Sequence, residues 1–163
     1  MARLNEPLFR ELQLREGAVA IVDAADFGWL SKFEWSIHTG GYAQRRVGSR
    51  RIYMHAAIAG PRHDHRNGNR LDNRRSNLRP ATKSQNAANS RMRRDSRMRR
   101  DNRSGYRGVS RHLASGLWRA RVRIGALEHT TYHATPEEAA RARDASALAT
   151  FGEFARLNFG ASA

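Results

Sequence analysis

Apolar positions in this chain come in short runs rather than long stripes, which predicts small strands and short helices. Residues 18–22 (AVAIV) read as a short buried strand, followed by a turn at 23–26 and an apolar cluster of Phe27, Trp29 and Leu30. Phe33 and Trp35 are placed to open a second strand, Gly40-Gly41 marks a tight turn, and 51–54 reads as a further strand. HAAIA (55–59) reads as a helical turn stopped by Gly60-Pro61. The clearest periodicity lies near the C-terminal end. In LWRARVRI (117–124), Trp118, Ala120, Val122 and Ile124 alternate with Arg119, Arg121 and Arg123, so one strand face is apolar and the other cationic. Thr135-Pro136-Glu137-Glu138 then marks a helix start: a Thr cap, Pro at the first position and an acidic first turn. That helix runs through AARARDASALAT to Phe151, and Gly152 ends it.

Charge narrows the partner. The 163 residues carry a formal net charge of +15, and Lys32 and Lys83 are the only lysines. Arg forks onto phosphates and guanine edges, whereas Lys is a mobile point charge, so the bias favours nucleic acid over a generic anionic surface. The bland alternative for such an excess is biased codon usage. No basic amphipathic helix points to a membrane, and residues 1–16 contain no apolar run of signal or spanning length. The expectation is a soluble, cytoplasmic protein with double-stranded DNA as partner and no obligate protein partner. With no cysteine, disulfides and thiolate zinc sites are excluded.

Between these apolar runs lies a polar stretch, RHDHRNGNRLDNRRSNLRPATKSQN (62–86). It holds Asp64-His65, then Asn77 twelve residues after the histidine, then Asn86 nine residues later. A carboxylate beside a neutral imidazole, with a later carboxamide, suits one hard divalent cation and one general base. A strand ending near Asp64-His65, a loop through Asn77, a strand at 78–81 and a helix capped by Thr82 and Gln85 are expected. The stretch resembles the HNH endonuclease motif, in the variant where Asp and Asn replace the outer metal-binding histidines. That resemblance implies a two-strand-plus-helix unit around one divalent metal, with Mg2+ the expected ion. It implies His65 as general base, Asp64 and Asn86 as metal ligands, and Asn77 as a brace for the histidine strand. Arg66, Arg74, Arg75 and Arg79 are expected on the DNA backbone. His63 is the weaker candidate ligand, His55 a support of the fold or a DNA contact, and Asn67, Asn69 and Asn73 turn formers.

In residues 90–103 the hexapeptide SRMRRD occurs twice in tandem, and seven arginines fall there. Its period of six matches neither helix nor strand, so it reads as a basic linker touching phosphates, with Arg91, Arg93 and Arg94 among the contacts. Beyond it, YRGV, GLWRARV, TPEEAARARDASALATFG and ARLNF resemble the AP2 DNA-binding domain over about residues 104–159. That family lays a three-stranded sheet in the major groove with a helix behind it. The resemblance implies groove contacts from Arg107, Arg121 and Arg123 and phosphate contacts from Arg111 and Arg119. His129 stands where the family often has a groove-facing side chain, within a third strand (EHTTYH, 128–133) that departs from the family pattern.

The expected architecture is therefore α+β. Residues 1–89 form an HNH (ββα-metal) nuclease unit on a β-rich scaffold, 90–103 a linker, and 104–160 a three-stranded antiparallel sheet on one helix. The expected function is metal-dependent endonucleolytic cleavage of duplex DNA, of the homing or mobile-element kind. A sequence-specific DNA-binding transcriptional regulator with an inactive nuclease unit is the alternative, and an RNA-binding protein is a third reading carried by charge alone.

Overall fold

A computed structural model describes residues 8–89 and 104–160. The duplicated SRMRRD segment, with Arg91, Arg93 and Arg94, lies outside the described residues. The described residues are mixed α/β, with small sheets and four helices, and the chain divides into two compact units, residues 1–82 and 83–163.

The first unit opens with a hairpin. Strand β1 (Phe9–Gln13) pairs antiparallel with β2 (Val19–Asp23), from Phe9 opposite Asp23 to Gln13 opposite Val19. Alternation along the hairpin buries Leu12, Ala20 and Val22 on one face. Residues 24–30, expected as a turn and a loose apolar cluster, instead form helix α1 (Ala24–Leu30). Two forces favour it. Asp26 stands in the first turn, where a carboxylate suits the positive end of the helix dipole. Leu30 is buried in the core and Phe27 packs against it, three residues apart on one helical face.

Strands β3 (Ser36–Ile37), β4 (Ala43–Val47) and β5 (Arg50–Tyr53) form an antiparallel sheet in that order. Phe33 and Trp35 precede β3 rather than forming part of it. Phe33 lies under the Arg45 guanidinium, whose carbon is 3.8 Å from the ring centroid. Trp35 is sunk in the core, where its indole N–H donates to the Leu30 carbonyl at 2.9 Å. Helix α2 (Met54–Ala59) ends at Gly60, whose φ of 96° favours a residue without a side chain. Strands β6 (His63–His65) and β7 (Leu78–Pro80) then pair antiparallel, with His63 opposite Pro80, Asp64 opposite Arg79 and His65 opposite Leu78.

The second unit begins with helix α3 (Lys83–Asn89). Its sheet has β9 (Trp118–Ile124) at the centre, flanked by β8 (Val109–Arg111) and β10 (Leu127–His133), all antiparallel. Helix α4 (Pro136–Phe151) packs on one face. Its start is a reciprocal capping box: Thr135 Oγ1 accepts from the Glu138 N–H, and the Glu138 carboxylate accepts from the Thr135 N–H. Val109 and Ala120 meet Ala139 and Ala140 in a small-residue core, with Tyr106, Trp118 and Phe159 at its margin. Ile124, at the far end of β9, is exposed. No helix of the described residues is long and apolar enough to cross a membrane.

Candidate functional site

The polar stretch gains its shape from side chains that replace a missing sheet. Asn77, buried, uses its whole carboxamide: Oδ1 accepts from the Asn67 N–H at 3.0 Å, and Nδ2 donates to the Asp72 carbonyl at 2.7 Å. Its own carbonyl accepts from the Arg66 N–H at 2.8 Å, which ties the residue after His65 to the start of β7. Asn67 and Asn69 each accept from a backbone N–H two residues on, the local bonding that makes Asn a turn former. Residues 71–73 dock alongside β2, where the Ile21 N–H donates to the Leu71 carbonyl and the Asn73 N–H to the Ile21 carbonyl.

Two forked ion pairs fasten this loop. Arg74 grips Asp72 through Nε at 2.8 Å and Nη2 at 2.7 Å. Arg75 grips Asp26 on α1 through Nε and Nη2, both at 2.8 Å. The guanidinium groups hold the Asp26 and Asp72 carboxyls below the usual carboxylate range. Arg74 and Arg75, expected on the DNA backbone, are thus engaged with carboxylates of the protein.

His65 is 2 % exposed at the end of β6. Its Nε2 lies 3.3 Å from Asn73 Oδ1, and Asn73 Nδ2 donates to the Leu71 carbonyl, which fixes the carboxamide orientation. Since Oδ1 only accepts, Nε2 carries the proton and Nδ1 is the nitrogen that can take another. Burial pushes the His65 pKa below its ordinary value, against opposing contributions from Asn73, Asp64 and Asp72. The ring is therefore neutral at pH 7, as a base must be. Asn73, 1 % exposed, went unrecognised in the sequence as anything but a turn residue. Only its place in a polar, turn-rich loop eight residues beyond the histidine hinted at more.

Aromatic rings wall the imidazole. The centroid of His55 is 5.1 Å from that of His65, in an edge-to-face arrangement, and Tyr42 is 5.8 Å away. His55 Nδ1 is buried and has no hydrogen-bond partner among the described residues. Burial, then the neighbouring His65 and His63, push its pKa down to about 4. A base whose folded pKa lies below its unfolded value favours the folded state only above the unfolded value, near 6.5. Acidification from pH 6.5 to 4 is therefore expected to cost on the order of 2–3 kcal/mol of stability. Urea melts of wild type and His55→Gln check this, and equal slopes against pH in that window would contradict it. The Asp26 and Asp72 pairs act in the same direction but only below about pH 4. His63 is occupied differently, its Nδ1 donating to the Gly60 carbonyl at 3.1 Å.

Asp64 is buried, and its Oδ2 lies 3.6 Å from Nη2 of Arg79, its cross-strand partner. Arg79 is itself only 5 % exposed. The Arg79 guanidinium, expected on the DNA backbone, thus stands beside Asp64 within the protein. Asn86 is exposed on α3, within the second unit. Among the described residues, no three of His, Cys, Asp and Glu are grouped to hold a metal ion. A cation would draw instead on Asp64 and on carboxamide or water oxygens, a donor set that suits a hard ion such as Mg2+.

The second unit sorts its cations by sheet face. Arg119, Arg121 and Arg123 lie on the side away from α4; Arg119 Nη2 donates to Ser110 Oγ at 3.4 Å. Glu128 lies beside Arg121 and Arg123, at 3.5 and 3.2 Å. Arg111 is on the opposite face, opposite Trp118 in register, with its guanidinium carbon 5.2 Å from a Trp118 ring centroid. His129 also lies on the helix side, opposite Val122, its Nδ1 3.4 Å from Ser146 Oγ, which corrects the groove-facing expectation. Arg107 is half-buried; its N–H donates to Asn158 Oδ1 and its Nη2 to the Ala87 carbonyl.

No curated protein and no solved structure matches the chain. Residues 64–88, which open on Asp64 and include His65, Asn77 and Asn86, match the family model described as HNH endonuclease, and that match supports reading the chain as a nuclease acting on DNA.

Proposed function

We propose that the protein is a metal-dependent endonuclease of the homing or mobile-element kind that cuts duplex DNA. In this reading a ββα-metal nuclease unit occupies residues 1–89, a basic linker 90–103, and an AP2-like DNA-binding unit 104–160. The observation that carries it is the state of His65: neutral, buried, protonated on Nε2 by its bond to Asn73, and next to Asp64 within the matched stretch. His65 Nδ1 takes a proton from water as the water oxygen attacks phosphorus. Asn77 keeps the strand carrying His65 and the loop beyond it in fixed register through its hydrogen bonds to Asn67, Asp72 and Arg66. Asp64 and Asn86 are the residues that would hold the cation. Mg2+, when bound, neutralises charge on the scissile phosphate and the leaving oxygen. Arg119, Arg121 and Arg123 carry the DNA contacts of the outer sheet face.

Asn73→Ala is expected to lower the cleavage rate roughly 10–10²-fold, because a base without its orienting partner misses its attack geometry. Thermal melting of the same sample separates this from unfolding; an unchanged rate would remove Asn73 from the mechanism.

The second reading, a DNA-binding regulator with an inactive nuclease unit, draws on the Asp64–Arg79 pair, since a carboxylate held by a buried guanidinium is a poorer metal ligand. Supercoiled-plasmid cleavage with Mg2+ and with chelator decides between them. The nuclease reading expects cutting with Mg2+ and, in chelator, retained DNA binding without cutting. Binding without cutting under any divalent cation favours the regulator.

A further inference from the structure

We propose that the cleft between α3 and the edge of β9 binds one phosphate group of a nucleic-acid backbone, an inference that rests on the DNA-partner reading above. The cleft has a volume of about 430 Å3 and belongs wholly to the second unit. Its walls include Lys83, Ser84, Arg107, Gly108, Arg143 and Phe151. Strand β8 pairs with β9 only along Trp118, Arg119 and Ala120, and the Arg121 N–H donates to the Gly108 carbonyl. Past that point no described strand covers this side of β9.

The unsatisfied donor is Arg143, which is 5 % exposed. Its Nη1 donates to Asp144 Oδ1 at 3.0 Å and to the Arg156 carbonyl at 2.6 Å. Its Nε is buried and has no hydrogen-bond partner among the described residues. A guanidinium cannot shed its proton at any physiological pH, so a buried orphan N–H is costly until an acceptor arrives. The backbone is shaped around this group. Gly108 has φ +70°, and a Cβ there would stand 3.2 Å from Arg143 Nε and 2.7 Å from the Arg121 carbonyl oxygen.

Charge points the same way. Arg107, half-buried beside the cleft, has its pKa pushed down to about 10, first by burial and then by Arg143 and Arg156. It stays protonated at pH 7, in a field that an added anion would relieve. Asp144, the nearby carboxylate, is already committed to Arg143, to Asn158 and to the Phe159 N–H. Lys83 and Ser84 add an ammonium and a hydroxyl at the exposed rim. Two guanidinium groups, an ammonium and a hydroxyl among the lining side chains make a donor set that suits an oxyanion. Arg121 and Arg123 also line the cleft, while their guanidinium groups lie by Glu128. A backbone phosphate in the cleft therefore continues the cationic track of the outer face around the sheet edge.

The test uses the full-length protein in chelator, so that nothing depends on cleavage. Duplex affinity is measured by fluorescence anisotropy against KCl concentration, and inorganic phosphate is titrated into the free protein with melting as the readout. Lys83→Gln and Arg107→Gln are each expected to reduce the slope of log affinity against log salt by about 0.9, equally on all sequences. They should also abolish a saturable rise of melting temperature with phosphate. Arg50→Gln, an exposed charge loss in the first unit, should alter neither. Unchanged slopes in both cleft variants, with saturable phosphate binding intact in the wild type, would make this a small-anion site and overturn the backbone assignment. Unchanged slopes with no saturable phosphate effect would overturn the site altogether. A wild type that binds DNA without cutting it under any cation would sink the nuclease reading and leave this test standing.

Discussion

Trp35→Ala is expected to lower the stability of the first unit by roughly 3–5 kcal/mol, the usual cost of emptying a fully buried aromatic site. Trp35 is 1 % exposed and is the largest side chain sealed in that core. Leu12, Val22, Leu30, Met54 and Leu78 belong to the same cluster, so strands of the hairpin and of the histidine-bearing pair lose a common neighbour. The substitution also removes one of two donors to the Leu30 carbonyl, which accepts the indole N–H and, at 3.2 Å, the Phe33 N–H. Trp35→Phe keeps most of the apolar volume and is expected to cost about 1–2 kcal/mol, for one lost hydrogen bond plus lost volume. Trp118→Ala, by contrast, should cost less than Trp35→Ala, because Trp118 is only half-buried at the margin of the second core. Urea unfolding of the three variants ranks them, and a Trp118 loss exceeding that at Trp35 would contradict the burial order.

The elements legible in the sequence are those whose signals are local. The alternation of β9 reads directly as one buried and one cationic face because a strand repeats every two residues, and Ala120 and Val122 are indeed buried. The Thr135–Glu138 box and Gly152 mark the ends of α4 through bonds made within a few residues. Helix α1 was illegible because Gly28 interrupts a seven-residue segment, and its stability comes from Leu30 in the core and from Arg75, distant in sequence, on Asp26. The same limit governs the site. The Asn67 and Asn69 turns bond within two residues and read as turns from the sequence, whereas the bracing by Asn77 is what the family resemblance implied. The pairing of Arg79 with Asp64, the face taken by Arg111 and the turn of His129 toward α4 depend on strand register, and a one-residue slip reverses every side chain. Charge alone marked Arg74, Arg75 and Arg79 as DNA contacts. It could not show that they pair with Asp72, Asp26 and Asp64 within the protein.

His65→Ala removes the one group to which every step of the proposed chemistry refers. A positioned general base contributes about 10²–10⁴ to a rate, and here its neutrality and its tautomer are set by burial and by Asn73. The imidazole also fills space beside His55 and Tyr42, so His65→Gln is the companion variant that keeps volume without supplying a base of comparable strength. Single-turnover cleavage of supercoiled plasmid with Mg2+, by wild type and both variants at matched DNA occupancy, is the most direct measurement. The account predicts that both variants bind the plasmid as wild type does and cut it roughly 10²–10⁴-fold more slowly. Cutting by folded His65→Ala at the wild-type rate would contradict it.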